Sequence, residues 1–320
     1  MDWPTAWIGL HRFERIQMTD VTPARTVEFD FTHADLTELV AGCAADPLAT
    51  IVRQRIVPGS HVLEAGAGSG KWLKALADQG FTVDGIEINN ANVERFRAAW
   101  PDIPFIHGDV ERMPYGDAAF DAILSLGVVE HLIDGPERAL AEMHRVLKPG
   151  GTMFLTVPDA NASFRLEQVK DHILHRLYGS EALRRLLGKR PAAYSRDAER
   201  QRLKAIGRRR RAGVPVKFSF APDQGRSFYE YRFTTARIVG AIEAAGFQTT
   251  AIDRLYPADR LYQIFGRLAG SAGTNRPISL NPLGRLLLTC LPRHWIDHMI
   301  LVVAQRPELR PELRPDRHHG

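Results

Sequence analysis

The chain has 320 residues, 44% of them hydrophobic and 25% charged, with a formal net charge of +5. That balance is ordinary for a globular protein able to bury a full core, and it excludes a collagen-like, low-complexity or acidic disordered chain. Two cysteines, Cys43 and Cys290, give neither a disulfide framework nor a metal-ligand spacing, so no metal is expected and a reducing, cytoplasmic setting is the default. The opening MDWPTAWIGL has no basic segment ahead of an apolar one. The most apolar late stretch, WIDHMILVVA, is too short for a bilayer span and carries Asp297 and His298.

Strands and helices alternate from about residue 60 to 158. HVLEA (61–65) reads as a short buried strand, and GKWLKALADQG after it has the apolar spacing of a helix that Gly80 stops. FTVDGIEI (81–88) is a second strand. NNANVERFRAAW opens on asparagine caps and ends before Pro101. IPFIHGD and FDAILSLG (120–127) are the third and fourth strands. GPERALAEMHRVLKPGG reads as a helix with Pro136 in its first turn and the Gly150–Gly151 pair closing it; TMFLTVP (152–158) is the fifth strand. This rhythm predicts a parallel sheet with both faces covered, whose ligands bind at the carboxyl ends of the strands.

After Pro158 the rhythm breaks. Residues 163–232 hold 18 Lys and Arg against 7 Asp and Glu, a net of +11, so the rest of the chain is about −6. The segment contains RRRR (208–211) and the aromatic cluster FYEYRF, and it reads as an inserted, mainly helical basic cap. TTARIVGAIEAAGF then resumes the helix–strand pattern, LGRLLLTCLP is a short amphipathic helix, and MILVVA (299–304) is a last strand. The Pro- and charge-rich tail repeats PELR and is expected to be disordered. The expected organisation is an N-terminal helical or extended segment (1–58) packed on the ligand site, an α/β core (59–158 and 233–305), the cap (159–232) and the tail (306–320).

The loop in VLEAGAGSGKW (62–72) is the most informative stretch. A tight strand-to-helix turn alone would use glycines for their positive φ. A strand before, a helix after, and Glu87 ending the next strand favour a nucleoside site, with Glu87 placed to accept from both hydroxyls of a ribose. The spacing Gly66, Gly68, Gly70 lacks the half of the dinucleotide fingerprint that packs the pyrophosphate helix. GAGSGK lacks both the spacing and the Ser or Thr of a P-loop. Glu64 beside the loop would repel phosphates in a partly desolvated site. A positively charged ligand with ribose and adenine but no phosphate fits, and S-adenosylmethionine is such a ligand.

The chain resembles the class I S-adenosylmethionine-dependent methyltransferases, particularly the small-molecule group that includes quinone-biosynthesis methyltransferases. The matching stretches are VLEAGAGSG (62–70), VDGIEIN (83–89), IHGDVERMPY (106–115), FDAILSLGVVEHL (120–132) and LKPGG (147–151), about 100 residues in the family's order and spacing. FYEYRFTTARIVGAIEAAGF is similar to the family's approach to its sixth strand, whereas the basic cap has no counterpart. The resemblance implies a Rossmann-like seven-stranded sheet, mostly parallel with an antiparallel last strand. It also implies S-adenosylmethionine as cofactor. Glu64 would take the methionine amino group, and Gly66, Ala67, Gly68 and Gly70 would form the close-approach loop. Glu87 would hold the ribose and Ile88 would pack on adenine. Asp109 would take the adenine amino group with Val110 beside it, and Leu126 and Gly127 would pass under the methionine, while Glu130 and His131 face the acceptor.

Methyl transfer to an oxygen requires loss of a proton, which gives His131 a role as general base; a helix-capping or buried histidine is the alternative. Tyr115, Tyr229 and Tyr231 are candidates for the acceptor pocket or for the cap's own core. The acceptor is expected to be a small molecule or a lipid- or glycan-linked one. Three other readings stay open. In one, the cap serves an RNA or protein methyltransferase, although no Pro-Pro-Tyr motif follows strand four and nucleic acid is disfavoured. In another the chain binds cofactor without catalysis. In the third, the cap and the apolar helix at 283–292 sit against a membrane, making the protein peripheral to its inner face.

Overall fold

The computed structural model describes residues 28–169, 196–209, 214–221, 225–271 and 278–308. Two short helices come first, α1 (Leu36–Cys43) and α2 (Pro47–Arg55). Asp35 and Asp46 cap them by accepting from the first free backbone N–H groups. The alternating region then gives β1 (His61–Ala65), α3 (Lys71–Ala77), β2 (Thr82–Glu87), α4 (Asn90–Ala99), β3 (Phe105–His107) and β4 (Phe120–Leu126). It closes with α5 (Glu137–Val146) and β5 (Leu147–Pro158).

The cap's described part holds a helical stretch at 162–169, helix α6 (Arg196–Arg209) and two strands, β6 (Val216–Ala221) and β7 (Gly225–Tyr231). The core resumes with α7 (Thr235–Ala244) and β8 (Gln248–Leu255). A small helical unit follows: α8 (Pro257–Phe265), a two-stranded ribbon β9 (Gly270–Ser271) and β10 (Ser279–Leu280), α9 (Pro282–Cys290) and α10 (Arg293–Ile296). The last strand is β11 (Met299–Gln305).

The main sheet has the order β3-β2-β1-β4-β5-β11-β8. Its first five strands pair in parallel, and β11 runs antiparallel to both β5 and β8. The order reverses beside β1, so the crevice where ligands enter such sheets opens between the carboxyl ends of β1 and β4. Leu63, Ile123 and Leu155 point to one core layer, and Leu73, Phe96 and Phe154 to the other, all fully buried.

Three features differ from the sequence expectation. Helix α5 stops at Val146, and Leu147–Gly151 already belong to β5, so the Gly150–Gly151 pair does not close the helix. Pro149 cannot extend an α-helix, and Leu147 pairs with Phe120 of β4 before the register shifts. The cap contains an antiparallel hairpin, β6–β7, that its basic composition concealed. Arg306, expected to open a disordered tail, donates to the carbonyls of His144, Arg145 and Leu147. Residues 309–320 and much of the cap's basic sequence, including Arg184, Arg185, Arg210 and Arg211, lie outside the described residues.

Candidate active site

Every segment that carries a candidate residue ends at the same sheet edge. A cavity of about 560 Å³ opens there, within the roughly 300–1,000 Å³ of small-molecule sites. The glycine loop forms its floor. Gly66 and Ala67 donate to the Ile86 carbonyl at 2.9 and 3.0 Å, tying the loop to β2. Gly66 (φ +80°) and Gly68 (φ +54°) are left-handed, and a Cβ on Gly66 would sit 2.5 Å from Val128. Only glycine keeps this surface open.

Two carboxyls flank the loop. Glu64 is buried, and its Oε2 accepts from Leu73 N at 3.0 Å, the open end of α3. Desolvation pushes its pKa up to about 8, against the lowering effects of that hydrogen bond and of Lys71. Glu87 is raised as well, again chiefly by burial. Its two oxygens accept from Gly68 N (2.8 Å) and Asn89 N (2.9 Å), and the carboxyl lines the cavity. Glu87 therefore also holds the loop in shape, a role its position in the sequence did not reveal.

Of the remaining candidates, Ile88, Asp109, Val110, Leu126, Gly127 and His131 all line the cavity. Asp109 folds back to accept from Glu111 N at 2.8 Å, which presents the start of the segment after β3. Gly70 is the exception. It lies outside the lining, at the left-handed cap of α3 (φ +75°), where any Cβ would collide with the Phe96 ring. Its glycine answers to helix packing.

Beyond β4 the chain makes a 3-10 turn, Val129–His131, which turns Glu130 and His131 inward. His131 Nδ1 lies 2.8 Å from the Tyr229 carbonyl. A carbonyl can only accept, so Nδ1 carries the proton and Nε2 is a lone pair. Burial lowers the His131 pKa, keeping the ring neutral, and Phe29 packs edge-on against it at 4.6 Å. Glu130 Oε1 stands 4.0 Å from Nε2, while its Oε2 is buried with no hydrogen-bond partner. Burial raises the Glu130 pKa well above the usual range and so favours its protonated, donating form.

Several wall residues were not read from sequence. Phe29 and Phe31 arrive from the segment before α1, pinned to α4 through Asn89, Asn92 and Arg95. Glu230 and Arg232 come from the end of the hairpin and form a buried ion pair at 2.6 Å. Tyr256 and Asp259 sit at the root of α8. Tyr256 is left-handed (φ 59°), unusual for a bulky residue, and its hydroxyl donates to Asp46 at 2.8 Å. Burial lifts Asp259 to about 6. Tyr229 lines the cavity. Tyr231 is buried and donates to the Ile133 carbonyl, and Tyr115 lies outside the lining.

A left-handed glycine floor, a carboxyl at each of two adjacent strand ends and an apolar wall at Ile88 and Val110 suit a phosphate-free nucleoside with a cationic arm. These residues fit S-adenosylmethionine. Comparison with known proteins agrees. The family model described as "Methyltransferase domain" matches residues 63–155. A "Probable S-adenosylmethionine-dependent methyltransferase" of Mycolicibacterium smegmatis is 35% identical over 112 residues, 34% of this chain and 43% of its own. A demethylmenaquinone methyltransferase of Renibacterium salmoninarum is 39% identical over 98 residues, 30% of this chain and 40% of its own. This chain thus spans less than half the length of either relative. A solved S-adenosylmethionine-dependent methyltransferase of Methanosarcina mazei superposes with a TM-score of 0.49 at 16% identity, covering 81% of this chain and 98% of that one. Residues 63–155 carry the match, and over them the chain contains a methyltransferase domain, similar in sequence to S-adenosylmethionine-dependent methyltransferases.

Proposed function

We propose that the whole protein is an S-adenosylmethionine-dependent methyltransferase acting on an oxygen of a small-molecule, lipid-linked or glycan-linked acceptor, with His131 as general base. The observation that carries this reading is the neutral His131 ring. Its Nδ1 is committed to the Tyr229 carbonyl, and its Nε2 lone pair sits in the cavity wall beside an unpartnered carboxyl. Bound in the cavity, S-adenosylmethionine supplies an electrophilic methyl group. Glu87 would accept from its ribose hydroxyls, Glu64 would take its amino group, and Asp109 the adenine amino group. On the acceptor side, Glu130 would donate to an acceptor oxygen. His131 would take the hydroxyl proton at Nε2, and the Tyr229 carbonyl would steady the resulting imidazolium through Nδ1–H. Phe29, Leu39 and Leu48 add apolar wall to the cavity, which would disfavour water near the methyl group.

The test is turnover with phenolic, quinol, glycan and lipid-linked acceptors, read as gain of one methyl group in the product mass. With an acceptor in hand, His131→Asn keeps a donor toward the Tyr229 carbonyl and removes the base. Its kcat should fall by about 10²-fold or more, with cofactor affinity unchanged. In the wild type, kcat should stay level at neutral pH and decline only below 6.5, because burial moves the base's pKa below that ordinary value. Wild-type kcat in His131→Asn would remove the base from the mechanism.

A further inference from the structure

The unit between β8 and β11 has a surface that the cofactor site does not explain. Its helices α8, α9 and α10 pack on a small core of their own, Leu261, Ala269 and Ile296, backed by Leu280, Leu287, Leu288 and Leu291. Gly284 lets α9 approach the Ala269 carbonyl so closely that a Cβ would overlap it. With that core filled, the unit still exposes Ile264 (43%), Phe265 (37%), Leu268 (69%), Leu283 (47%), Leu286 (57%) and Trp295 (43%). These are six of the ten large exposed hydrophobics among the described residues, gathered within one short stretch of chain. Scattered single apolar side chains need no explanation, but a concentration of this kind marks a contact surface. On α9 the exposed Leu283 and Leu286 are one turn apart, on the side away from the buried Gly284.

The charge of the same unit says what the contact is. Residues 257–296 contain five Arg against one acid, Asp259; Arg260 is buried on Glu167 and Arg293 pairs with the buried Asp297. Arg267, Arg285, Arg293 and His294 are exposed among the apolar residues. An ordinary soluble surface intersperses both signs. A second copy of the same face would set arginines against arginines, which disfavours a symmetric dimer. Exposed Leu and Phe, a half-exposed Trp and a cationic margin without exposed acids match the chemistry of an interfacial, anionic lipid surface. We propose that this unit docks the protein on an anionic membrane, its apolar side chains entering the headgroup layer and its arginines facing lipid phosphates. The unit's two roots, Tyr256 and Asp259 on one side and His298 and Met299 on the other, are cavity wall. Docking and acceptor entry therefore share one structural element, although the docking itself does not depend on the proposed reaction.

Flotation with vesicles tests this. The full chain should float with equal parts phosphatidylglycerol and phosphatidylcholine, and not with phosphatidylcholine alone. Binding should weaken as salt rises. Leu283→Ser/Leu286→Ser and, separately, Arg267→Gln/Arg285→Gln should each lower vesicle affinity by at least about tenfold. All four positions are exposed and none lines the cavity, so S-adenosylmethionine affinity measured by calorimetry should stay unchanged and certify the fold. Failure of the wild type to float with anionic vesicles would overturn the proposal, as would undiminished floating of both variants. So would light scattering that shows a dimer dissolved by the Leu283→Ser/Leu286→Ser change, because the face would then be an interface between copies.

Discussion

Glu64 is a carboxyl held in the wrong charge state until its ligand arrives. Buried with one backbone donor, it has its pKa pushed up to about 8, so in the free protein it is mostly protonated at neutral pH. The unfolded chain returns it to the ordinary 4.5. A carboxyl whose folded value is raised makes the folded state bind more protons than the unfolded one. Its contribution to stability therefore declines as pH climbs from 4.5 to about 8 and is level outside that window. A cationic ligand reverses the balance by favouring the carboxylate. Cofactor binding at pH 7 should release protons, and affinity should increase with pH up to about 8. Glu64→Gln should abolish the proton release and weaken S-adenosylmethionine by roughly 1.5–3 kcal/mol, the value of a hydrogen bond to a charged group. Calorimetry in two buffers of different ionisation enthalpy measures both effects. Equal proton release by variant and wild type would place the titration elsewhere.

At the scale of elements, the glycine loop combines two jobs that look identical in sequence. Gly66 and Gly68 keep the cavity floor open, whereas Gly70 lets α3 start against Phe96, a ring that also packs on Trp100 and Phe105. Gly70→Ala should cost about 1–2 kcal/mol for the left-handed backbone, plus the displacement of Phe96. Gly59→Ala is the control, since Gly59 is also left-handed (φ +81°) but has nothing within 4 Å of its absent Cβ. Thermal melts should show the larger drop for Gly70→Ala, and equal drops would mean that Phe96 gives way freely. The five strands from His61 to Pro158 were legible because a parallel sheet covered on both faces needs continuous apolar runs, and the helices between them repeat at helical spacing. Glu64 and Glu87 were legible for a related reason: a carboxylate at each of two neighbouring strand ends has a chemical meaning whatever surrounds it. The hairpin was not legible. Along β7 and just beyond, Phe228, Glu230, Tyr231 and Arg232 are all buried, so the strand shows neither alternation nor an apolar run. Its two charges are tolerable inside only because they meet each other, and pairing of that kind leaves no periodic trace.

Across the whole molecule, that hairpin locks the inserted segment to the methyltransferase core. Tyr231 donates to Ile133 (2.7 Å), the Tyr229 carbonyl orients His131, and Lys217 and Arg260 both reach Glu167. At the centre is the Glu230–Arg232 pair, with Arg232 also stacked over Phe164 at 5.0 Å. Burial alone would raise the Glu230 pKa, yet the Arg232 and Lys217 charges together hold it below the ordinary value. Glu230 therefore stabilises the folded state above pH 4.5 and loses that contribution as pH falls through its lowered pKa. Arg232→Met removes the largest of those opposing charges and leaves a buried carboxylate in an apolar setting. The expected cost is about 3–5 kcal/mol, and its pH dependence should change sign, because the Glu230 pKa would now be raised. The variant should be less stable at pH 8 than at pH 5, whereas the pair in the wild type gains stability from acid toward neutral pH. Adding Glu230→Met to Arg232→Met removes the stranded charge and should recover most of the loss, since buried ion pairs replaced by apolar groups of similar volume are often near neutral in stability. Urea titrations at both pH values measure all three proteins. A double variant as unstable as Arg232→Met alone would show that the cost lies in packing over Phe164 and not in the unpaired carboxylate.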